Sequence, residues 1–268
     1  MTKFAFLALA ALLAAPALSD DHDEPHADVE ILPGWRTESG THMAALRVTL
    51  DDGWKTYWRA PGEAGLPPDF DWSGSKNIAG VTAHWPVPEV FLSSGIKTLG
   101  FHHELVLPLE IEPVDPEADI ALSGDLAMGL CDNICMPIQT RVSADLAHAD
   151  TTPDPRIALA LDRRPDTAEE AGLVSARCEV TPISDGMRVT ARLEMPAPGG
   201  EEMTVMEAAD RSIWVSPATT QREDGMLTAV ADLVPPTAEP FELDLQSLRF
   251  TVLANGRGVD IHGCEAAR

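Results

Sequence analysis

The sequence predicts an all-β chain built as two successive β-sandwiches. Short runs of alternating apolar and polar residues recur between turn signals, the pattern of strands with one face buried. The 22 prolines and 19 glycines interrupt any helical periodicity. The texture changes once, at a Pro- and Asp-rich stretch near residue 150, and strand-like runs resume beyond it.

The elements follow in order. Lys3 supplies a positive start, and the apolar run from Phe4 to Ala15 leads to Ala17-Leu18-Ser19, small residues at the positions a signal peptidase reads. A run of about a dozen residues is shorter than the ~20 needed to cross a bilayer. Residues 1–19 are therefore expected to be a cleavable signal peptide that exports the chain to the periplasm. Residues 20–28 form an acidic flexible tail, in which His22 and His26 read as solvated rather than metal-bound. Residues 29–148 make the first sandwich, with strands expected over 44–50, 81–85, 104–109, 120–126 and 137–142. Residues 149–170 read as a linker with a short helix over 156–164, bounded by Pro155 and Pro165. Residues 171–268 make the second, smaller sandwich, with strands over 174–180, 187–193, 212–215, 227–233, 241–245, 248–253 and 259–262.

Charge and motif content exclude several functions. A formal charge of −24 repels phosphate backbones and anionic lipid, so neither nucleic acid nor a membrane surface is an expected partner. No later run is apolar enough for membrane insertion. There is no phosphate-binding loop, nucleophile elbow or zinc-spaced cluster, so hydrolase chemistry has no support and no cofactor is expected. Trp35, Trp54, Trp58, Trp72 and Trp85 and the single tyrosine, Tyr57, all fall in the first sandwich. Such residues fill cores, but their crowding marks this domain as the one with a specialised surface.

Four cysteines in an oxidising compartment imply disulfides, with three possible pairings. Cys131 and Cys135 are local, whereas Cys178 and Cys264 bracket the second sandwich. Chain entropy gives about 4.6 kcal/mol for a bridge from Cys178 to Cys264 and about 2 kcal/mol for one across the short loop. The long bridge thus suits a structural staple, and the short one is the candidate for redox work. Spacing alone also allows a structural loop disulfide.

The surrounding residues add a family resemblance. The run Gly53-Trp54-Lys55-Thr56-Tyr57-Trp58-Arg59-Ala60-Pro61-Gly62 is followed by Gly65-Leu66-Pro67-Pro68 and Phe70-Asp71-Trp72. Then come Trp85-Pro86-Val87-Pro88, Gly100-Phe101, Leu107-Pro108-Leu109 and Cys131-Asp132-Asn133-Ile134-Cys135-Met136-Pro137. This series, over about residues 29–146, resembles the N-terminal domain of DsbD-type thiol:disulfide interchange proteins, in particular the subfamily of the copper-tolerance protein ScsB. The resemblance implies an immunoglobulin-like sandwich whose cysteine pair cycles between dithiol and disulfide. It implies Cys135 as the residue that enters mixed disulfides and Cys131 as the one that resolves them. It also implies a capping segment, for which residues 97–103 are the expected counterpart, with Phe101 or Leu99 as the apolar shield. The partners implied are periplasmic thioredoxin-like thiol oxidoreductases. The sequence shows no thioredoxin-like module or membrane domain, so a separate membrane electron donor is expected. The cysteine spacing is shorter than in the best-known family members.

Charge within the motif disfavours a thiolate, because Asp132 adjoins Cys131 and no Lys or Arg is present. A pair that is sluggish alone and reacts when a partner docks fits an electron carrier. The alternative is a non-catalytic binding or scaffold module with two structural disulfides, with a copper-handling variant. There Cys131, Cys135, Met136 and one of His102 and His103 would form a soft copper(I) site. Adjacent histidines on a strand face opposite ways, which places this below the redox reading, and no metal is expected.

Overall fold

The computed structural model describes residues 26–93 and 95–267. The expected signal peptide and all but the end of the acidic tail lie outside the described residues.

The first sandwich packs two antiparallel sheets face to face. One orders β1 (Ala27–Arg36), β2 (His42–Leu50), β8 (Glu104–Glu112) and β5 (Gly80–Ala83) side by side. The other orders β10 (Cys135–Leu146), β9 (Ile120–Cys131), β3 (Lys55–Gly62), β7 (Ile96–His102) and β6 (Glu89–Ser93), with β4 (Asp69–Asp71) also pairing with β9. Alternation decides the inner faces: Leu46 and Val48 of β2 meet Trp58 of β3, Leu99 and Phe101 of β7 and Leu130 of β9 in one core. β2 is apolar on both faces because its outer side is covered too. There Met43 and Ala45 pack with Ile157 of the short helix α1 (Pro155–Leu161). The helix expected in the linker is thus docked on the first sandwich, and Asp154 caps it by accepting from the Arg156 N–H.

The second sandwich repeats the two-layer plan. One sheet orders β11 (Asp166–Thr167), β19 (Arg257–His262), β18 (Arg249–Ala254) and β14 (Met203–Glu207). The other orders β15 (Trp214–Val215), β17 (Met226–Val234), β13 (Gly186–Glu194), β12 (Ser175–Ile183) and β20 (Glu265–Ala266), with β16 (Thr219–Glu223) also on β17. Val189, Leu193, Phe250, Val252 and Ile261 form its core. Cys178 and Cys264 are bonded there, Cα atoms 5.8 Å apart, tying β12 to the chain's last turn.

Two segments differ from the sequence reading. Residues 97–103, expected as a capping loop, form most of β7, because Leu99 and Phe101 alternate inward between two hydrogen-bonded neighbours, β3 and β6. Residues 241–245, expected as a strand, have no ladder partner. Phe241, Leu243 and Leu245 instead pack irregularly on the second core and lead into a 3-10 turn capped by Asp244. The capping segment was expected from the resemblance; for residues 241–245, alternating apolar residues bury one face whether or not a neighbouring strand is available, so the pattern did not distinguish the outcomes.

Candidate functional site

The site sits at the tip of the hairpin formed by β9 and β10. These strands pair without a register shift from Ile120 opposite Leu146 to Cys131 opposite Cys135. Register thus sets the two cysteines face to face, with Cα atoms 4.1 Å apart and the sulfurs bonded. Asp132-Asn133-Ile134 closes the tip, where the Asp132 N–H donates to the Ile134 carbonyl at 3.1 Å.

The two sulfurs are not equivalent. β9 is an inner strand, flanked by β10 and β3, and Cys131 is fully buried. β10 is the edge of its sheet, and Cys135 is exposed. A partner approaching the hairpin tip reaches Cys135 first.

Tyr57 completes the site. Its hydroxyl lies 2.8 Å from Cys131 Sγ and 3.3 Å from Cys135 Sγ. A disulfide carries no proton, so the phenol donates. Tyr57 lies on the outer face of the sheet, since its neighbours Thr56 and Trp58 face the other way, yet only 3 % of it is exposed. The loop over residues 62–68 is its roof. A Cβ on Gly65, where φ is +125°, would come within 2.6 Å of the Tyr57 ring, and one on Gly129 would meet Leu66 at 2.9 Å and the ring at 3.1 Å. Only glycine permits this close stacking of loop, ring and strand. Burial raises the Tyr57 pKa above its ordinary value of 10, so the phenol keeps its proton at neutral pH.

Phe101 and Leu99, expected as the shield, do not face the pair; the side chain against both sulfurs is Tyr57, and the loop that carries Gly65 and Leu66 lies over its ring. Leu99 and Phe101 point into the sandwich core, and Phe101 stacks on Trp85 at 6.3 Å. The reason is parity: Gly100, between them, is the residue of that stretch opposite Tyr57. Sequence reasoning missed Tyr57 as a site residue. The available signal was its being the single tyrosine, set between two tryptophans in the first motif of the resemblance.

Strand pairing brings one cation near that the cysteine motif lacks. Lys55 opposes Cys131 across β3 and β9, and His102 opposes Lys55. The Lys55 ammonium lies 5.0 Å over the Phe91 ring, and His102 Nδ1 lies 3.2 Å from Glu89. The Tyr57 hydroxyl is therefore the polar group in direct contact with the sulfurs. Met136 shares its row with core residue Leu130, on the face away from the disulfide. Among the described residues there is no group of three or more His, Cys, Asp or Glu side chains arranged to hold a metal. His26, at the tail's end, stacks on Trp54 at 3.9 Å. Cys178 and Cys264 are both buried, 2 % and 4 % exposed, as a staple requires.

A family model of the N-terminal domain of the thiol:disulfide interchange protein DsbD matches residues 28–147. The resemblance read from the motifs is thus met by a family-model match over the first sandwich. Both site cysteines, Tyr57 and its roof lie inside that match. The crystal structure of the N-terminal periplasmic domain of ScsB from Proteus mirabilis has a TM-score of 0.66 at 22% sequence identity. The similarity covers 92% of this chain and 96% of that one, so the common fold extends beyond residues 28–147 into the second sandwich. A marsupial T cell receptor matches with a TM-score of 0.17 at 11% identity, over 88% of this chain and 95% of its own, and supports no comparison. No curated protein sequence matches the chain. The family match supports a thiol:disulfide interchange module in the first sandwich, and the Cys131–Cys135 pair fits that chemistry.

Proposed function

We propose that this module passes reducing equivalents between periplasmic thiol oxidoreductases by cycling Cys131 and Cys135 between dithiol and disulfide. The observation that carries the proposal is the asymmetry of the pair: an exposed Cys135 beside a buried Cys131 that a phenol hydroxyl touches.

In the loading half-reaction, a donor thiolate attacks Cys135 Sγ in line with the Cys131–Cys135 bond. That bond breaks, a mixed disulfide forms on Cys135, and Cys131 leaves as a thiolate. The Tyr57 hydroxyl donates to the leaving sulfur as charge develops, a stronger contact than it makes to the neutral disulfide. The donor's second thiolate then attacks its own sulfur in the mixed disulfide, which frees Cys135 and leaves the donor oxidised. Unloading is the reverse: Cys135 attacks an oxidised acceptor, and Cys131 resolves the mixed disulfide. Two electrons move in each half-cycle.

The partners proposed are thioredoxin-like oxidoreductases and a separate membrane-embedded donor. Periplasmic placement rests on the signal-like N-terminus and on the similarity to a periplasmic domain. A copper-linked role rests on the ScsB-like resemblance alone.

The test is the reduction potential of the pair in the mature protein, set by glutathione buffers and read by thiol trapping with peptide mapping. Reversible cycling at a potential above about −300 mV is expected, because structural bridges lie below that value. Cys131→Ala should accumulate mixed disulfides on Cys135, and Cys135→Ala should not. A pair that stays oxidised in buffers poised below about −300 mV would make this hairpin a structural bridge and overturn the proposal.

A further inference from the structure

The loop that roofs Tyr57 is anchored at both ends by the second sandwich. β3 leaves its pairing with β7 after Tyr57: Tyr57 opposes Gly100, and the next matched pair is Gly62 with Thr98, so residues 58–61 bulge out of the sheet. The bulge carries Arg59 to β14, where its guanidinium donates to both carboxylate oxygens of Glu207, at 3.1 and 3.0 Å. It also donates to the Thr251 hydroxyl at 2.9 Å. This pair is largely buried, with side chains 12% and 20% exposed. At the far end of the loop, Arg211 donates to the Pro68 carbonyl at 3.1 Å and to the Asp69 carboxylate at 3.1 Å.

Between these anchors the loop rests on the Tyr57 ring and Gly129 with its outer side in solvent. Residues 62–67 are exposed. The Glu63 N–H donates to the Lys97 carbonyl at 3.0 Å, which ties the loop's start to β7. The middle of the loop stacks on Tyr57, and its two ends border a cleft of about 830 Å³ between the two sandwiches, lined by Pro61, Pro67, Met203 and Trp214 among others. A segment exposed along its length, resting on one ring and bordered by a cleft at its ends, opens at low free energy unless something fastens it.

We infer that the second sandwich is a clamp, which holds the 62–68 loop shut over Tyr57 and the Cys131–Cys135 pair through Arg59–Glu207 and Arg211–Pro68/Asp69. The inference rests on the reading of that pair as the exchange centre. It gives the second sandwich a role without a cysteine of its own at the site: it sets how often the buried sulfur and its phenol are uncovered. Release of the clamp swings the loop into the cleft, about Gly62 and Gly65, both at positive φ.

The test compares the full chain with Arg211→Ala and with Arg211→Ala/Glu207→Gln. Arg211 is 61% exposed, so its truncation leaves the fold intact. Amide hydrogen exchange over 62–66, where the Glu63 N–H is hydrogen-bonded, and the rate at which dithiothreitol reduces the Cys131–Cys135 bond are the two readouts. Arg211→Ala should speed both by about two- to five-fold, the factor carried by an exposed ion pair, and the double variant by more. The reduction potential should not move, because the loop covers both redox forms. Arg188→Ala, which breaks the remote pair with Asp232, should change neither readout. Unchanged exchange over 62–66 in the double variant would overturn the clamp. A pair that fails to cycle would sink the exchange-centre reading instead, and hydrogen exchange would still decide the clamp.

Discussion

At the scale of single residues, Tyr57 has the clearest consequence. Tyr57→Phe removes one oxygen and keeps the ring under Gly65 and over Gly129, so the roof persists while the hydrogen bond to sulfur is lost. A hydrogen bond to a charged group contributes about 1.5–3 kcal/mol, so the variant should raise the Cys131 thiol pKa by about one unit or more. Thiolate absorbance against pH in the reduced protein measures this, and a pKa equal to wild type would remove Tyr57 from the mechanism. His42 makes a second residue-scale prediction. It is fully buried, its Nε2 is 2.7 Å from the Pro33 carbonyl, and burial holds its pKa below the ordinary 6.5. The unfolded chain therefore takes up a proton as pH falls through 6.5 while the native protein refuses it, so stability declines from pH 6.5 downward. Chemical denaturation at stepped pH should show that decline, and His42→Gln should flatten it.

At the scale of elements, the hairpin and its neighbours place the chemistry. Pairing of β9 and β10 to their ends brings the cysteines opposite each other, and pairing of β3 with β9 delivers Tyr57. The β3–β7 contact is equally exacting. A Cβ on Gly100 would lie 2.0 Å from the Thr56 carbonyl oxygen, a backbone atom that cannot turn aside. Gly100→Ala should therefore part β3 from β7, cost about 3 kcal/mol in urea unfolding and raise the hydrogen exchange of Tyr57. Retained stability would mean that the strands tolerate a wider spacing than the structure shows. The same pairing explains why the shield was misplaced from sequence. Residues 97–103 are near the site in register, but Leu99 and Phe101 have the inward parity.

At the scale of the whole molecule, two bridges divide the labour. Cys178–Cys264 closes most of the second sandwich and is buried in its core. Cys178→Ser/Cys264→Ser should lose about 2–5 kcal/mol of stability in denaturant titration of the oxidised protein. The Cys131–Cys135 potential should stay as it was, because the stapled core is that of the other sandwich. A large shift in that potential would instead show that strain in the second sandwich reaches the hairpin through Arg59.

The sequence by itself determined what local patterns encode. Strand alternation, turn residues and the changed texture near residue 150 specified two sandwiches, and the cysteine positions specified a local pair and a bracketing pair. Ordered motifs from Gly53 to Pro137 pointed to the DsbD N-terminal domain, and the family model matches over residues 28–147. Tertiary structure alone decided which cysteine is exposed, since that depends on β10 being an edge strand and β9 an inner one. It alone set the Tyr57 hydroxyl 74 residues away in sequence against Cys131, and Arg211 of the second sandwich against Pro68. Such contacts join segments distant along the chain, and their geometry follows from sheet order, register and parity. A residue carries its own propensity in the sequence, but its neighbours across a sheet are fixed only when the whole sheet forms.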